Sequence, residues 1–193
     1  MGQTCQENPL SHPFQLTYPE GGATKSVFYP SHPQMHTLLL VEDSEDDAIL
    51  FQRTLKKSGL AVQFVHVDDG QRALDYLAGA GEYNDLARCP RPTLVLLDLK
   101  LPLLDGHEVL QWARARQDLD GVCFAMLTSS SEPADVEKAY ALGANCYLTK
   151  AIAPETLVDL CTKAESFRTA GNARARLLLT KSERPWPLGS QSY

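Results

Sequence analysis

The 193-residue chain is about the size of one domain with tails. Its 44% hydrophobic content is enough for a sizeable core, and 18 Lys and Arg against 24 Asp and Glu give a formal charge of −6, a balance that argues against nucleic-acid binding through phosphate contacts. The five cysteines are odd in number and widely spaced, with no CxxC or Cys/His ligand spacing, so neither a disulfide framework nor a zinc site is expected.

In chain order, residues 1–36 carry Pro9, Pro13, Pro19, Pro30 and Pro33 with Gly21-Gly22 and little apolar periodicity, the composition of a flexible extension. That stretch has no apolar core fit for a signal peptide, and no run in the chain is long enough to span a bilayer. Gly2 opens a partial myristoylation pattern that Gln6 breaks. A cytoplasmic protein without membrane attachment is expected.

From Thr37 the pattern becomes strands alternating with helices. The runs at 37–42 and 93–97 are almost continuously apolar, as parallel strands covered on both faces must be. VQFVHV (62–67) includes Gln63 and His66, which suits an edge strand, and GVCFAMLT (121–128) and NCYLT (145–149) complete five strands. Ser44 caps a first helix to about residue 58, with Glu45, Asp46 and Asp47 in the first turn, where the helix dipole favours negative charge. Asp69 or Gly70 starts the second helix and Gly106 the third. The fourth has Pro133 in its first turn and ends at Gly143, and the fifth runs from Pro154 to about Phe167. Residues 79–92 are long for such a connection and are expected to form a surface loop or a short extra turn. Five βα units without a hairpin signal indicate a doubly wound α/β fold with a five-stranded parallel sheet. Its domain spans 37–168, with a C-terminal tail at 169–193. In that tail Arg174, Arg176, Lys181 and Arg184 face the single acid Glu183, and a solvated tail is expected.

Chemistry gathers at the strand ends. The first strand closes on Glu42 and Asp43 and the third on Asp98. In open α/β sheets this edge is where ligands bind. Two carboxylates ~4 Å apart repel by roughly 4 kcal/mol at an effective dielectric of about 20. Three therefore call for a hard divalent ion, and an oxygen-only set suits Mg²⁺. A carboxylate beside Mg²⁺ can attack phosphorus and form an aspartyl phosphate. That reaction asks mainly for positioning and charge neutralisation, and the fourth and fifth strands end in a hydroxyl, Thr128, and a cation, Lys150. Each residue also has a plainer reading: Asp98 as a solvated strand end, Glu42-Asp43 as an acidic helix entry, Thr128 as a turn hydroxyl and Lys150 as a surface cation. Four strands ending in the groups one mechanism requires outweigh them.

The segments LLLVEDSEDD, LVLLDLKLPLLDG, MLTSS and CYLTK resemble the receiver domain of two-component response regulators, over residues 37 to about 168. The resemblance implies a flavodoxin-like (βα)5 fold with strand order 2-1-3-4-5. It implies that Asp98 accepts phosphate from a histidine kinase, with Mg²⁺ on Asp43, Asp98 and the backbone carbonyl of Lys100 and with Glu42 assisting through water. Thr128 and Lys150 would bind the phosphoryl oxygens, and Tyr147 would act with Thr128 as the switch aromatic; its plainer reading is a partly buried sheet tyrosine. Lys100 and Ser130 stand two residues beyond Asp98 and Thr128, positions that influence phosphate lifetime in the family. The long 79–92 connection resembles single-domain regulators paired with cyanobacterial and bacterial phytochromes, which implies a phytochrome-type kinase partner.

The chain departs from the family at Ala151, where proline joined through a cis bond is usual. A cis bond without proline costs about 2.5–4 kcal/mol, so Lys150–Ala151 is expected to be trans. Family members often dimerise through the fourth helix, fifth strand and fifth helix; Leu157, Leu160 and Phe167 belong either to such a face or to the core. The rival readings are a flavodoxin, whose flavin phosphate this acidic loop would repel, and a haloacid-dehalogenase-type phosphatase, whose second Asp is replaced by Lys100. A receiver-like docking module that takes no phosphate is the remaining alternative.

Overall fold

The computed structural model describes residues 36–170, with side chains in the last helix to Ser166. The expectations for residues 1–35 and 171–193 lie outside these. Five strands, β1 (His36–Val41), β2 (Val62–Val67), β3 (Leu94–Leu97), β4 (Cys123–Thr128) and β5 (Cys146–Thr149), alternate with α1 (Glu45–Ser58), α2 (Gly70–Ala78), α3 (Gly106–Arg114), α4 (Pro133–Ala141) and α5 (Pro154–Ala170). All pairings are parallel, in the order β2-β1-β3-β4-β5. The mixed strand β2 is at an edge, as its polar residues required.

Alternation along the strands divides the core in two. Leu39, Val41, Val95, Leu97, Phe124 and Met126 face α2, α3 and α4. Leu38, Leu40, Leu94, Leu96, Ala125 and Leu127 face α1 and α5. Central strands buried on both sides read as unbroken apolar runs for this reason. Leu157 and Leu160 are wholly buried in the second cluster, so they are core residues rather than part of a dimer face. The side chain of Phe167 lies outside those described.

The helix starts follow local chemistry. Ser44 and Asp69 cap α1 and α2 by accepting from Asp47 N and Arg72 N. Asp105 and Glu108 form a reciprocal capping box on α3. On α4 the residue before the helix, Glu132, makes no side-chain cap, and Ser130 Oγ takes the Glu132 amide instead at 3.3 Å. The last helix continues to Ala170, beyond the expected end near Phe167, because no Gly or Pro intervenes before Gly171. Residues 79–92 contain a short 3₁₀ turn, Gly81–Tyr83, and a second one, Gln117–Leu119, which no sequence signal marked, precedes β4. The Tyr76 hydroxyl donates to the Pro90 carbonyl at 2.8 Å and anchors the long connection.

Cys123, Cys146 and Cys161 are buried free thiols. Cys89, in contrast with the sequence reading, is disulfide-bonded. No helix among the described residues is long and apolar enough to cross a membrane.

One close approach ties the fold to the strand ends. Gly106 N donates to the Leu99 carbonyl at 2.9 Å, and a Cβ at Gly106 would stand 2.1 Å from the Asp98 carbonyl oxygen. The Gly106→Ala variant is therefore expected to lose about 1–3 kcal/mol of stability through overpacking, read as a lower urea midpoint at unchanged slope.

Candidate functional site

The hydrogen-bond ladder continues one residue past the strands, and this assembles the site. Glu42 N donates to Val67 O, Asp98 N to Val41 O and Lys150 N to Thr128 O, at 3.0, 3.0 and 2.9 Å. Neighbouring strands thus deliver their terminal side chains to one edge. Carboxylate oxygens of Glu42, Asp43 and Asp98 all lie within 4.8 Å of one another. Glu42, Asp98 and Thr128 are buried, whereas Asp43 is exposed at the mouth. Lys100 lines the same open cleft as Asp43, as do His107 and Asp135.

Lys150 supplies the positive charge. Its Nζ stands 2.9 Å from Glu42, 2.9 Å from Asp98 Oδ2 and 2.7 Å from Asp47 Oδ2. Burial works to lower the pKa of this ammonium, but the hydrogen bonds to Asp47, Glu42 and Asp98 outweigh it and hold the group above the ordinary lysine range. Glu42 is pushed above its ordinary value by burial and by the neighbouring Asp98, against the opposing bonds from Lys150 and the Ser44 amide. Asp98 Oδ1 accepts from Leu99 N at 2.6 Å, which fixes the carboxylate plane and directs Oδ2 to Lys150.

The sequence reading missed Asp47, treating it only as a first-turn acid. Ser44-Glu45-Asp46-Asp47 has capping-box spacing, and Asp47 N does donate to Ser44 Oγ at 3.3 Å. The return bond is absent because Glu42 Oε1 already accepts from Ser44 N at 3.1 Å. The Asp47 carboxylate is left to Lys150. A capping pattern immediately after a paired acid was the available signal.

On the other side of the site, Thr128 Oγ1 accepts from Ser130 N at 3.2 Å, and Ser130 Oγ donates to Asp135 Oδ2 at 2.6 Å. The Tyr147 hydroxyl donates to the Ser130 carbonyl at 3.1 Å, with the ring 1% exposed. Burial raises the phenol pKa, which keeps the donating proton in place. The aromatic is therefore turned inward and bonded to the loop that follows Thr128. Among the described residues no peptide is cis, so Lys150–Ala151 is trans as expected. Ala151 sits at φ 71°, left-handed backbone that costs a non-glycine residue roughly 1–2 kcal/mol and that proline cannot adopt. The loop into α5 thus follows a path specific to the absence of proline.

The family model of the response regulator receiver domain matches residues 38–162. The chain belongs to this family. Response regulator Rcp1 of Synechocystis sp. is 41% identical over 130 residues, covering 67% of this chain and 86% of that protein. The phosphorylated cyanobacterial phytochrome response regulator RcpA is similar in structure, with a TM-score of 0.58 and 34% identity over 70% of this chain and 95% of the other. The Mn²⁺-bound form of Rcp1 gives a TM-score of 0.56 and 37% identity over 75% and 99%. The receiver domain is a phosphoryl-accepting module of two-component signalling, and this chain is similar to its phytochrome-associated members.

The charge arrangement has a pH signature. A carboxyl whose folded pKa is raised binds protons more readily when folded, so its contribution to stability falls as pH rises from its unfolded value near 4.5 through its folded value. Lys150→Met removes the larger of the two bonds that hold the Glu42 pKa down and leaves that of the Ser44 amide. The variant is expected to lose about 3–5 kcal/mol at pH 7, because two buried carboxylates lose their cation. The deficit should shrink towards pH 5 as Glu42 takes up a proton. Urea unfolding at both pH values measures this, and a deficit that grows on acidification contradicts it.

Proposed function

We propose that Asp98 accepts a phosphoryl group from the phosphohistidine of a sensor histidine kinase of the phytochrome type. The observation that carries this reading is the buried Asp98 carboxylate, pinned by Leu99 N and held 2.9 Å from the Lys150 ammonium beside two further acids. The Asp98 oxygen forms the new bond to phosphorus as the donor's bond breaks. The groups in place are then Lys150 for phosphoryl charge and the Thr128 hydroxyl for a phosphoryl oxygen.

Asp43, Asp98 and the Lys100 carbonyl would hold Mg²⁺, with Glu42 acting through water; the all-oxygen donor set and its spacing fit a hard divalent cation. When bound, the ion neutralises phosphoryl oxygens and relieves the repulsion among the acids. A kinase partner of this type places the reaction in the cytoplasm, and the same reading takes a homodimer through α4, β5 and α5 as one output. Val158 is a large hydrophobic side chain left exposed on α5 for such a contact.

The switch in this reading is the chain of bonds from Thr128 through Ser130 to Tyr147. The Thr128 hydroxyl accepts from the Ser130 amide and keeps its own hydrogen for a phosphoryl oxygen, so turning towards the phosphate carries the Ser130 contact with it and gives the phosphorylated state new contacts at that loop.

Incubated with acetyl phosphate and Mg²⁺, the protein is expected to gain one phosphoryl group by mass spectrometry. Asp98→Asn should gain none, and a chelator should suppress the reaction in the wild type. Phosphate uptake by Asp98→Asn, or none by the wild type, would favour the docking-module alternative. Beryllium fluoride, a phosphoryl mimic, should shift the Ser130 amide in a ¹H–¹⁵N spectrum; an amide that stays put would remove Thr128 and Tyr147 from the switch.

A further inference from the structure

Asp47 stands closer to Lys150 than either acid already assigned to the site. Its Oδ2 lies 2.7 Å from Nζ, against 2.9 Å for Glu42 and for Asp98. An ammonium has three hydrogens to donate, and here three carboxylates engage it. Nothing is left over for a phosphoryl oxygen.

The three partners are not equally easy to lose. The side chains of Glu42 and Asp98 are 3% and 5% exposed, so a carboxylate abandoned there loses its counterion away from water. That of Asp47 is 39% exposed, and water replaces the lost bond. The helix does not need the Asp47 carboxylate either. In α3 the matching acid closes its capping box, Glu108 Oε2 accepting from Asp105 N at 2.8 Å. In α1 Glu42 fills that role, and the Asp47 side chain is directed across to a residue 103 positions away.

We infer that Asp47 is a positioning residue that competes with the phosphoryl group for Lys150. It holds the third hydrogen of the ammonium at rest and is the partner released when Asp98 is phosphorylated. This rests on the phosphoacceptor reading above. In the step itself an Asp98 oxygen bonds to phosphorus, the bond from phosphorus to the acetyl oxygen breaks with its electron pair, and acetate leaves. Lys150 transfers no proton; it exchanges Asp47 for a phosphoryl oxygen.

The test uses the full chain with Asp47→Asn, Asp47→Glu and, as a charge control, Asp46→Asn. Asp46 is exposed, one residue earlier in the same turn, and its carboxylate is not among the partners of Lys150. The readouts are the rate of phosphorylation by acetyl phosphate at saturating Mg²⁺ and the affinity for beryllium fluoride, with folding checked by circular dichroism. Asp47→Asn is expected to react about two- to fivefold faster and to bind the mimic correspondingly tighter, the range an exposed ion pair supports. The gain should diminish at high salt. Asp47→Glu and Asp46→Asn should both stay near wild type. An Asp47→Asn rate equal to or below wild type overturns the inference, as does an equal gain from Asp46→Asn, which would assign the effect to net charge. If the wild type itself takes no phosphate, the phosphoacceptor reading fails and this inference with it. A wild type that reacts while Asp47→Asn gains nothing defeats only the competition.

Discussion

Two carboxylates lie buried side by side at the ends of β1 and β3, and one ammonium is held against both of them. Glu42 and Asp98 are almost fully withdrawn from water, and the Lys150 ammonium stands within hydrogen-bonding distance of both. Breaking a buried ion pair by removing one partner is worth several kcal/mol, far more than a surface pair. That electrostatic requirement ties three strands and the first helix to one point. It also explains why Lys150, on the fifth strand's exit, makes its ion pairs with the ends of the first and third strands and with the first turn of α1.

The backbone makes the arrangement reproducible. The ladders of β1, β3 and β5 run one residue past the strand end, so Glu42, Asp98 and Lys150 emerge at fixed spacing. Gly106 lets the start of α3 close onto the Asp98 carbonyl, where any Cβ would collide. The loop after Lys150 reaches its place through Ala151 in left-handed backbone. Precision at the site is therefore supplied by sheet register and by two unusual backbone positions, one needing the smallest residue and the other tolerating strain.

Opposite Lys150, one serine collects the rest. The Ser130 amide bonds to Thr128, its hydroxyl to Asp135 and its carbonyl to Tyr147. A displacement of Thr128 is thereby felt at the start of α4 and at the β5 tyrosine. The links are short, direct hydrogen bonds rather than a long relay, and the proposed switch runs through them.

The sequence alone determined the order of elements, the parallel sheet, the edge position of β2, most helix starts, and the identity of the residues gathered at the strand ends. Those features depend on apolar runs, caps and breakers that act within a few residues. Motif resemblance supplied the strand order and the roles, which local pattern does not contain. Tertiary structure decided the partners. Asp47 pairs with a lysine 103 residues away because Glu42 takes the amide it would otherwise cap. Leu157 and Leu160 face inward because α5 lies on the α1 side of the sheet. Ala151 takes positive φ in the loop that leads from Lys150 into α5, where local propensity disfavours it. Local propensity sets what a segment becomes; which side chains then share a charge depends on the elements the sheet brings together.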